Sequence, residues 1–88
     1  MVIYKYPKKK GQKIKEVEQV KNNFYIDYTI ILKNGIIKNY NVYACNLIFN
    51  DEELSFNDIA TGQRIKYDFN NLVFEVEHVK VNKITIKE

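Results

Sequence analysis

Residues 24–44 read FYIDYTIILKNGIIKNYNVYA, two runs of alternating apolar and polar side chains on either side of Asn34-Gly35. Alternation with a period of two indicates strands that bury one face. The first run places on one side Phe24, Ile26, Tyr28, Ile30 and Leu32. The turn must therefore deliver a second strand whose apolar side chains fall opposite this row.

The length of the loop decides that register. A two-residue loop would bring Asn39 and Asn41 against the apolar row of the first strand. A three-residue loop, 33–35, with Gly35 in the left-handed position of a bulge, brings apolar residues together instead. It pairs Leu32 with Ile36, Tyr28 with Tyr40, Ile26 with Val42 and Phe24 with Ala44. Because a one-residue slip turns a whole face to solvent, the pattern favours the three-residue loop.

The C-terminal half predicts further hairpins. A two-residue turn at Asn70-Asn71 would pair Phe69 with Leu72, Tyr67 with Phe74, Ile65 with Val76, Lys66 with Glu75 and Arg64 with Glu77. Four-residue loops at 50–53 and 59–62 would set Phe49 opposite Leu54, Leu47 opposite Phe56, Phe56 opposite Ile65 and Leu54 opposite Tyr67. Apolar residues then meet apolar residues, and charges meet opposite charges.

Two strands change the phase of their alternation, near Cys45-Asn46 and near Glu77-His78. Strands of this kind bend or bulge, as in small barrels and orthogonal sandwiches. We therefore predict an all-β fold, a small, strongly bent antiparallel meander of about six to seven strands that closes into an SH3-like barrel or two-layer sandwich. Ile84 and Ile86 would form a short last strand.

The chain of 88 residues is predicted to be one domain, with a basic N-terminal arm or edge strand at 1–21 and the meander core at 22–88. Val2 to Tyr6 alternates like an edge strand that ends at Pro7, and 8–12 is predicted to be a loop. Residues 13–21 fit a helix or a bent strand. The strand is favoured because the segments around it are predicted to be strands.

Charge is distributed unevenly. Residues 1–15 carry six lysines and no acid, whereas the rest of the chain has eight basic and eleven acidic residues. The longest aliphatic run is Ile30-Ile31-Leu32, so neither a membrane span nor a signal peptide is expected, and the single cysteine, Cys45, cannot form an internal disulfide. These features predict a cytoplasmic protein. Heavy use of Lys, Asn and Ile indicates an AT-rich genome, such as that of a low-GC bacterium, its phage or a mobile element.

Catalytic and metal-binding patterns are missing from the sequence. His78 and Cys45 are each the sole residue of their type, which excludes the usual zinc sites built from nitrogen and sulfur ligands. The three glycines stand apart, so no phosphate-binding loop is formed. The sequence therefore predicts a protein that is not an enzyme and that needs neither metal nor cofactor.

The N-terminal arm interleaves aromatic and cationic side chains, a composition that stacks on bases and neutralises phosphates. The candidate nucleic-acid-binding residues are Tyr4, Lys5, Tyr6, Lys8, Lys9, Lys10 and Lys13. The alternative is a solvated loop that is merely rich in lysine.

The side of the first hairpin that faces away from its apolar row is the second candidate site. Its candidate protein-binding residues are Tyr25, Asp27, Ile31, Ile37, Asn39, Asn41 and Tyr43. Tyrosine with asparagine and aliphatic residues is typical of protein-recognition surfaces, unless the N-terminal strand or another sheet covers this face. The leading hypothesis is a protein-binding module, an accessory or inhibitory protein. The alternatives are a nucleic-acid-binding barrel and a structural component that forms homo-oligomers through an unpaired edge strand.

Overall fold

The computed structural model describes residues 1–6 and 17–87, and the side chains of residues 1–6 and 22–87. These residues form six strands and no helix, which confirms the predicted all-β class. The strands are β1 (Val2–Lys5), β2 (Val17–Leu32), β3 (Ile37–Phe49), β4 (Glu53–Asp58), β5 (Arg64–Asp68) and β6 (Val76–Ile86). All pairings between them are antiparallel.

The strands form one sheet in the order β1-β6-β2-β3-β4-β5. The predicted meander is confirmed for β2 to β5, whereas β6 returns to the other edge of β2 and β1 adds outside it. The predicted closure into an SH3-like barrel is wrong, and the strands belong to one sheet rather than to two separate sheets. Among the residues that the structure describes, β1 pairs only with β6 and β5 only with β4, so the two edge strands, four and five residues long, leave the sheet open.

The turn after β2 has the predicted three-residue form. Leu32 N–H donates to the Ile36 carbonyl at 2.8 Å, and Gly35 N–H donates to the Leu32 carbonyl at 3.0 Å. Gly35 has a φ of 90°, a conformation that side chains disfavour. The pairs Tyr28–Tyr40, Ile26–Val42 and Phe24–Ala44 follow in register, as predicted.

The hairpin predicted at Asn70-Asn71 is wrong. A turn does form there, since Asn70 N–H donates to Asp68 Oδ1 at 2.9 Å, but the chain after it leaves β5 and joins β2. Phe74, predicted to lie opposite Tyr67, is 85% exposed, and Lys66 lies 3.9 Å from Glu53 instead of facing Glu75. Pairing with β2 is favoured because it hydrogen-bonds the second edge of the buried central strand and brings Val79, Val81 and Ile84 into the core.

The predicted changes of phase are confirmed as bulges. In β3 the register shifts between Cys45 and Ile48, where Asn46 has a φ of 52°. Arg64 supports this bend, because its guanidinium donates to the Asn46 carbonyl at 2.6 Å. The predicted pairing of Leu47 with Phe56 falls inside this bulge, while the other pairs predicted for the loops at 50–53 and 59–62 are observed.

Strand β6 carries two such irregularities. Glu77 is the extra residue between the pairs Leu32–Val76 and Ile31–His78, and Asn82 is the extra residue in a second shift between Lys83 and Val81. Ile84 and Ile86 continue β6, so the separate last strand predicted for them is wrong.

The bends curl the sheet around one core. Tyr4 of β1 packs edge-on against Phe49 of β3, with ring centroids 4.8 Å apart, although two strands separate them in the sheet. The hydroxyls of Tyr28 and Tyr67 meet at 3.0 Å across the same interior. The buried hydrophobic residues are Phe24, Ile26, Tyr28, Ile30, Ala44, Leu47, Phe49, Leu54, Phe56, Val79, Val81 and Ile84.

The N-terminal predictions are confirmed where the structure describes them. β1 is an edge strand of the sheet. Within 13–21, the residues from Val17 onward belong to β2, so the strand interpretation holds there. The loop predicted at 8–12 and the start of 13–21 lie outside the described residues.

Burial raises the pKa of the Tyr28 hydroxyl above its ordinary value of 10.0, and the hydrogen bond with Tyr67 raises it further. The folded chain therefore keeps this proton at a pH where the unfolded chain loses it. This contribution to stability is complete below about pH 10 and is lost as the pH rises above that value. We expect urea unfolding from about pH 8 to about pH 12 to show a shallower alkaline loss of stability for Tyr28→Phe than for the native chain.

Tyr6→Phe is the matched control, because it removes an exposed hydroxyl and leaves Tyr28 intact. Its free energy of unfolding should fall with rising pH as steeply as that of the native chain. An equally steep fall in the native chain and in Tyr28→Phe would contradict the buried position of the Tyr28 hydroxyl.

Candidate protein-binding face

The side of the sheet opposite the core presents side chains from three adjacent strands, β3, β2 and β6, and we call it the outward face. Its β2 row pairs with β3 as Tyr25–Tyr43, Asp27–Asn41, Thr29–Asn39 and Ile31–Ile37. The same row pairs with β6 as Tyr25–Thr85, Asp27–Lys83, Thr29–Lys80 and Ile31–His78. The predicted protein-binding residues therefore lie together, and β6 extends them by a third row that the sequence interpretation missed.

Much of this face is open to solvent. Tyr25 is 44% exposed and Ile37 is 60% exposed. Asn39 and Asn41 are also exposed, whereas Asp27, Ile31 and Tyr43 are half-buried. Within the described residues, neither β1 nor a second layer covers the face, since β1 adds at the edge of the single sheet.

Two tyrosines form one end of the outward face. The rings of Tyr25 and Tyr43 stack with centroids 5.1 Å apart, and the Lys87 ammonium lies 5.0 Å from the Tyr43 ring centroid. Asn23 Nδ2 donates to the Tyr43 hydroxyl oxygen at 2.8 Å. Hydrogen bonds from Asn23 and then Lys87 lower the pKa of Tyr43, and the same contact raises the pKa of Lys87. These contacts hold the ring pair in place before any partner arrives, which reduces the entropy lost on binding.

A chain of polar side chains crosses the middle of the face. Asn82 Nδ2 donates to Thr29 Oγ1 at 2.8 Å and lies 3.4 Å from Asp27 Oδ1. Thr29 Oγ1 in turn donates to Asn39 Oδ1 at 2.7 Å, so the chain links β6, β2 and β3. Beside it is a depression of about 230 Å³ that is lined by Tyr25, Asp27, Asn41, Lys83 and Thr85.

Lysines make the β6 side of the outward face basic. Lys83 lies opposite Lys5 of β1, and Lys80 follows on the same side of β6. Like charges directly opposite each other on neighbouring strands are destabilising. In the sequence, Lys80 and Lys83 stand among the buried residues Val79, Val81 and Ile84, which indicates a strand with one polar side. Only the pairing of β6 with β2 and β1 shows that this polar side belongs to the outward face.

The predicted nucleic-acid-binding residues do not form one described surface. The Tyr4 ring packs on Phe49, and burial raises its pKa, so Tyr4 is a core contact and not an exposed stacking platform. Tyr6 is exposed with the Lys80 ammonium 5.1 Å from its ring centroid, and Lys5 lies beside Lys83. Lys8, Lys9, Lys10 and Lys13 lie outside the described residues.

A second cavity, of about 300 Å³, opens where the inward side of β6 approaches β1 and the loop after β5. Its lining includes the rings of Tyr4, Tyr6, Phe49 and Phe69. Within the described residues, no group of three or more histidine, cysteine or acidic side chains is placed to hold a metal ion. The described part of the chain also contains no helix of the length and apolarity needed to cross a membrane.

Comparison with known proteins identifies no relative. The chain matches no protein-family model, no curated protein and no solved structure. The described fold is that of a small all-β protein with an open sheet and an exposed outward face.

Proposed function

We propose that this protein is a non-enzymatic protein-binding module that recognises its partner with the outward face. The observation that carries the proposal is the stacked pair of exposed Tyr25 and half-buried Tyr43 beside a prearranged polar chain. Tyrosines that are fixed in place offer a large contact area at low entropic cost and are enriched among the residues that dominate binding energy. The aliphatic pair of Ile31 and Ile37 extends this contact area at the other end of the face.

The chemistry of the face indicates what the partner must present. Lys80 and Lys83 favour acidic side chains on the partner, which would also relieve the repulsion between Lys83 and Lys5. The polar groups around the depression favour hydrogen-bonding side chains or exposed backbone. We expect an acidic, partly apolar protein surface.

The same proposal includes a biological setting. The composition, rich in Lys, Asn and Ile, supports a low-GC bacterium, its phage or a mobile element as the source. The small size and the outward face support an accessory or inhibitory protein that acts in the cytoplasm. An inhibitory protein of this size would act by covering part of the surface of a larger protein, and the aromatic and polar side chains of the outward face are suited to that task.

The test is a pull-down of the tagged chain from bacterial lysate, with and without nuclease and at two salt concentrations. Lys83→Glu reverses a charge on the outward face, and Lys66→Glu makes the matched change on the exposed edge strand β5. The native chain and Lys66→Glu should capture a defined protein, and this capture should persist after nuclease treatment. Lys83→Glu should fail to capture it. Capture that is equal for the two variants would contradict the proposal.

Nucleic-acid binding is the second candidate, because Lys5 and Lys83 lie together near exposed Tyr6 at the root of the lysine-rich arm. This candidate predicts binding to single-stranded DNA or RNA that weakens steeply with salt. Changing Lys8, Lys9, Lys10 and Lys13 to glutamine should then abolish it. Fluorescence anisotropy with a labelled oligonucleotide measures both effects, and binding that is unaffected by the four changes would refute this candidate.

A further inference from the structure

Strand β3 extends well beyond its neighbour β4. β4 pairs with β3 only from Ala44 onward, and Ile59 N–H donates to the Tyr43 carbonyl at 3.0 Å where β4 ends. The preceding segment of β3, 37–42, has β2 on one side and no strand of the described sheet on the other. Its first five residues are all exposed.

The direction of the free backbone groups follows from the turn. Leu32 N–H bonds the Ile36 carbonyl, so Ile36 and every second residue after it direct their N–H and C=O groups toward β2. The intervening residues direct theirs away from β2, and the Tyr43 carbonyl, bonded by Ile59, confirms this. The exposed edge therefore carries the free donors and acceptors of Ile37, Asn39 and Asn41.

We propose that a second copy of this chain occupies this edge, so that two β3 strands pair antiparallel about a two-fold axis at Asn39. Asn39 then lies opposite itself and Ile37 lies opposite Asn41 of the other copy, which uses every free backbone group of the segment. The two sheets then join edge to edge, with β3 of one copy beside β3 of the other and β4 farther along the same edge.

The chemistry of the edge selects this register. On the inward side it places each Lys38 opposite a Tyr40 ring of the other copy, a favourable contact between a cation and an aromatic ring. Moving the axis to Lys38 would place the two Lys38 ammonium groups opposite each other. Moving it to Tyr40 would place Ile37 opposite Tyr43, whose carbonyl already accepts the Ile59 N–H.

Apolar residues at both ends of the contact fit the same arrangement. Ile36 is 51% exposed at the end of the turn. In the proposed register Ile36 of one copy lies opposite Val42 of the other, on the inward side of the sheet. By symmetry this contact forms at both ends of the paired segment, and it covers an aliphatic side chain that is exposed in the single chain.

The pairing would also change the proposed binding surface. Ile37, Asn39 and Asn41 lie both on the edge and on the outward face, so the outward faces of the two copies become continuous. The dimer does not depend on the proposed partner, and it can be tested in its absence.

Sedimentation equilibrium of the purified full chain tests the association. We expect the mass to rise with concentration from 10.5 kDa to twice that value, measured up to about 1 mM chain. Asn41→Pro should remain monomeric, because proline removes an N–H that points away from β2, and Asn41→Thr should dimerise because it keeps the N–H. A native chain that stays at the monomer mass throughout would overturn the proposal, as would a dimer that survives Asn41→Pro.

Disulfide cross-linking tests the register without relying on proline. In a Cys45→Ala background, Asn39→Cys places two thiols opposite each other with Cα atoms about 5.5 Å apart, within disulfide range. Ile37→Cys places them roughly 14 Å apart, because four residues offset the two positions. We expect oxidation to give a covalent dimer at position 39 and none at position 37. Cross-linking at position 37 alone, or equal cross-linking at both, would overturn the assigned register.

Discussion

Phe56→Ala lowers the free energy of unfolding by about 3–5 kcal/mol, whereas Phe74→Ala changes it by less than about 0.5 kcal/mol. Phe56 is fully buried, with its ring centroid 6.0 Å from that of Tyr28, so its removal leaves a cavity in the core. Phe74 is 85% exposed, and its ring contacts the Lys33 ammonium at 4.7 Å from the centroid. The same substitution thus has a large effect on stability at one phenylalanine and almost none at the other.

Urea unfolding of the two variants and the native chain measures this difference. The comparison also separates the observed topology from the hairpin predicted at Asn70-Asn71, which places Phe74 on the apolar face opposite Tyr67. Comparable losses of stability in the two variants would support that hairpin and contradict the pairing of β6 with β2.

Tyr25→Ala is expected to weaken binding of the partner protein by roughly 30- to 700-fold, which corresponds to about 2–4 kcal/mol. Tyr25 stacks on Tyr43 and lines the depression on the outward face, so its truncation removes contact area and releases the neighbouring ring. Isothermal titration calorimetry with the captured partner gives the affinity. Folding should be preserved, because the Tyr25 side chain lies outside the core.

Phe74→Ala is the control for this change. It removes a more exposed aromatic ring that lies beside the turn after β2 and not on the outward face. Its affinity should equal that of the native chain. Equal losses for Tyr25→Ala and Phe74→Ala would show that exposed aromatic area in general, rather than the outward face, governs binding.

Local patterns were sufficient for the part of the fold in which neighbouring strands are also neighbours in sequence. The alternation on either side of Gly35 specified the register of β2 and β3, because a slip of one residue would have exposed the core. The phase change at Cys45-Asn46 located the bulge for the same reason. The outward positions of Tyr25 and Tyr43 followed directly from that register.

The nonlocal pairings could not be predicted in this way. The residues around Asn70-Asn71 match as a hairpin, but hydrogen bonding the second edge of β2 and burying Val79 and Val81 outweigh that match. A short sequence window contains no information on which distant edge needs a partner. The lysines of β6 were missed as part of the site for this reason, and Tyr4 was assigned to an exposed arm although its ring completes the core.

Site-specific photo-cross-linking tests most directly whether the outward face binds protein. A benzoylphenylalanine at position 85 lies beside the depression and away from the β3 edge, while one at position 74 reports on an exposed site elsewhere. After irradiation in lysate and mass spectrometry, we expect position 85 to cross-link a defined protein that position 74 does not reach. Cross-linking of that protein from position 74 but not from position 85 would contradict binding through the outward face.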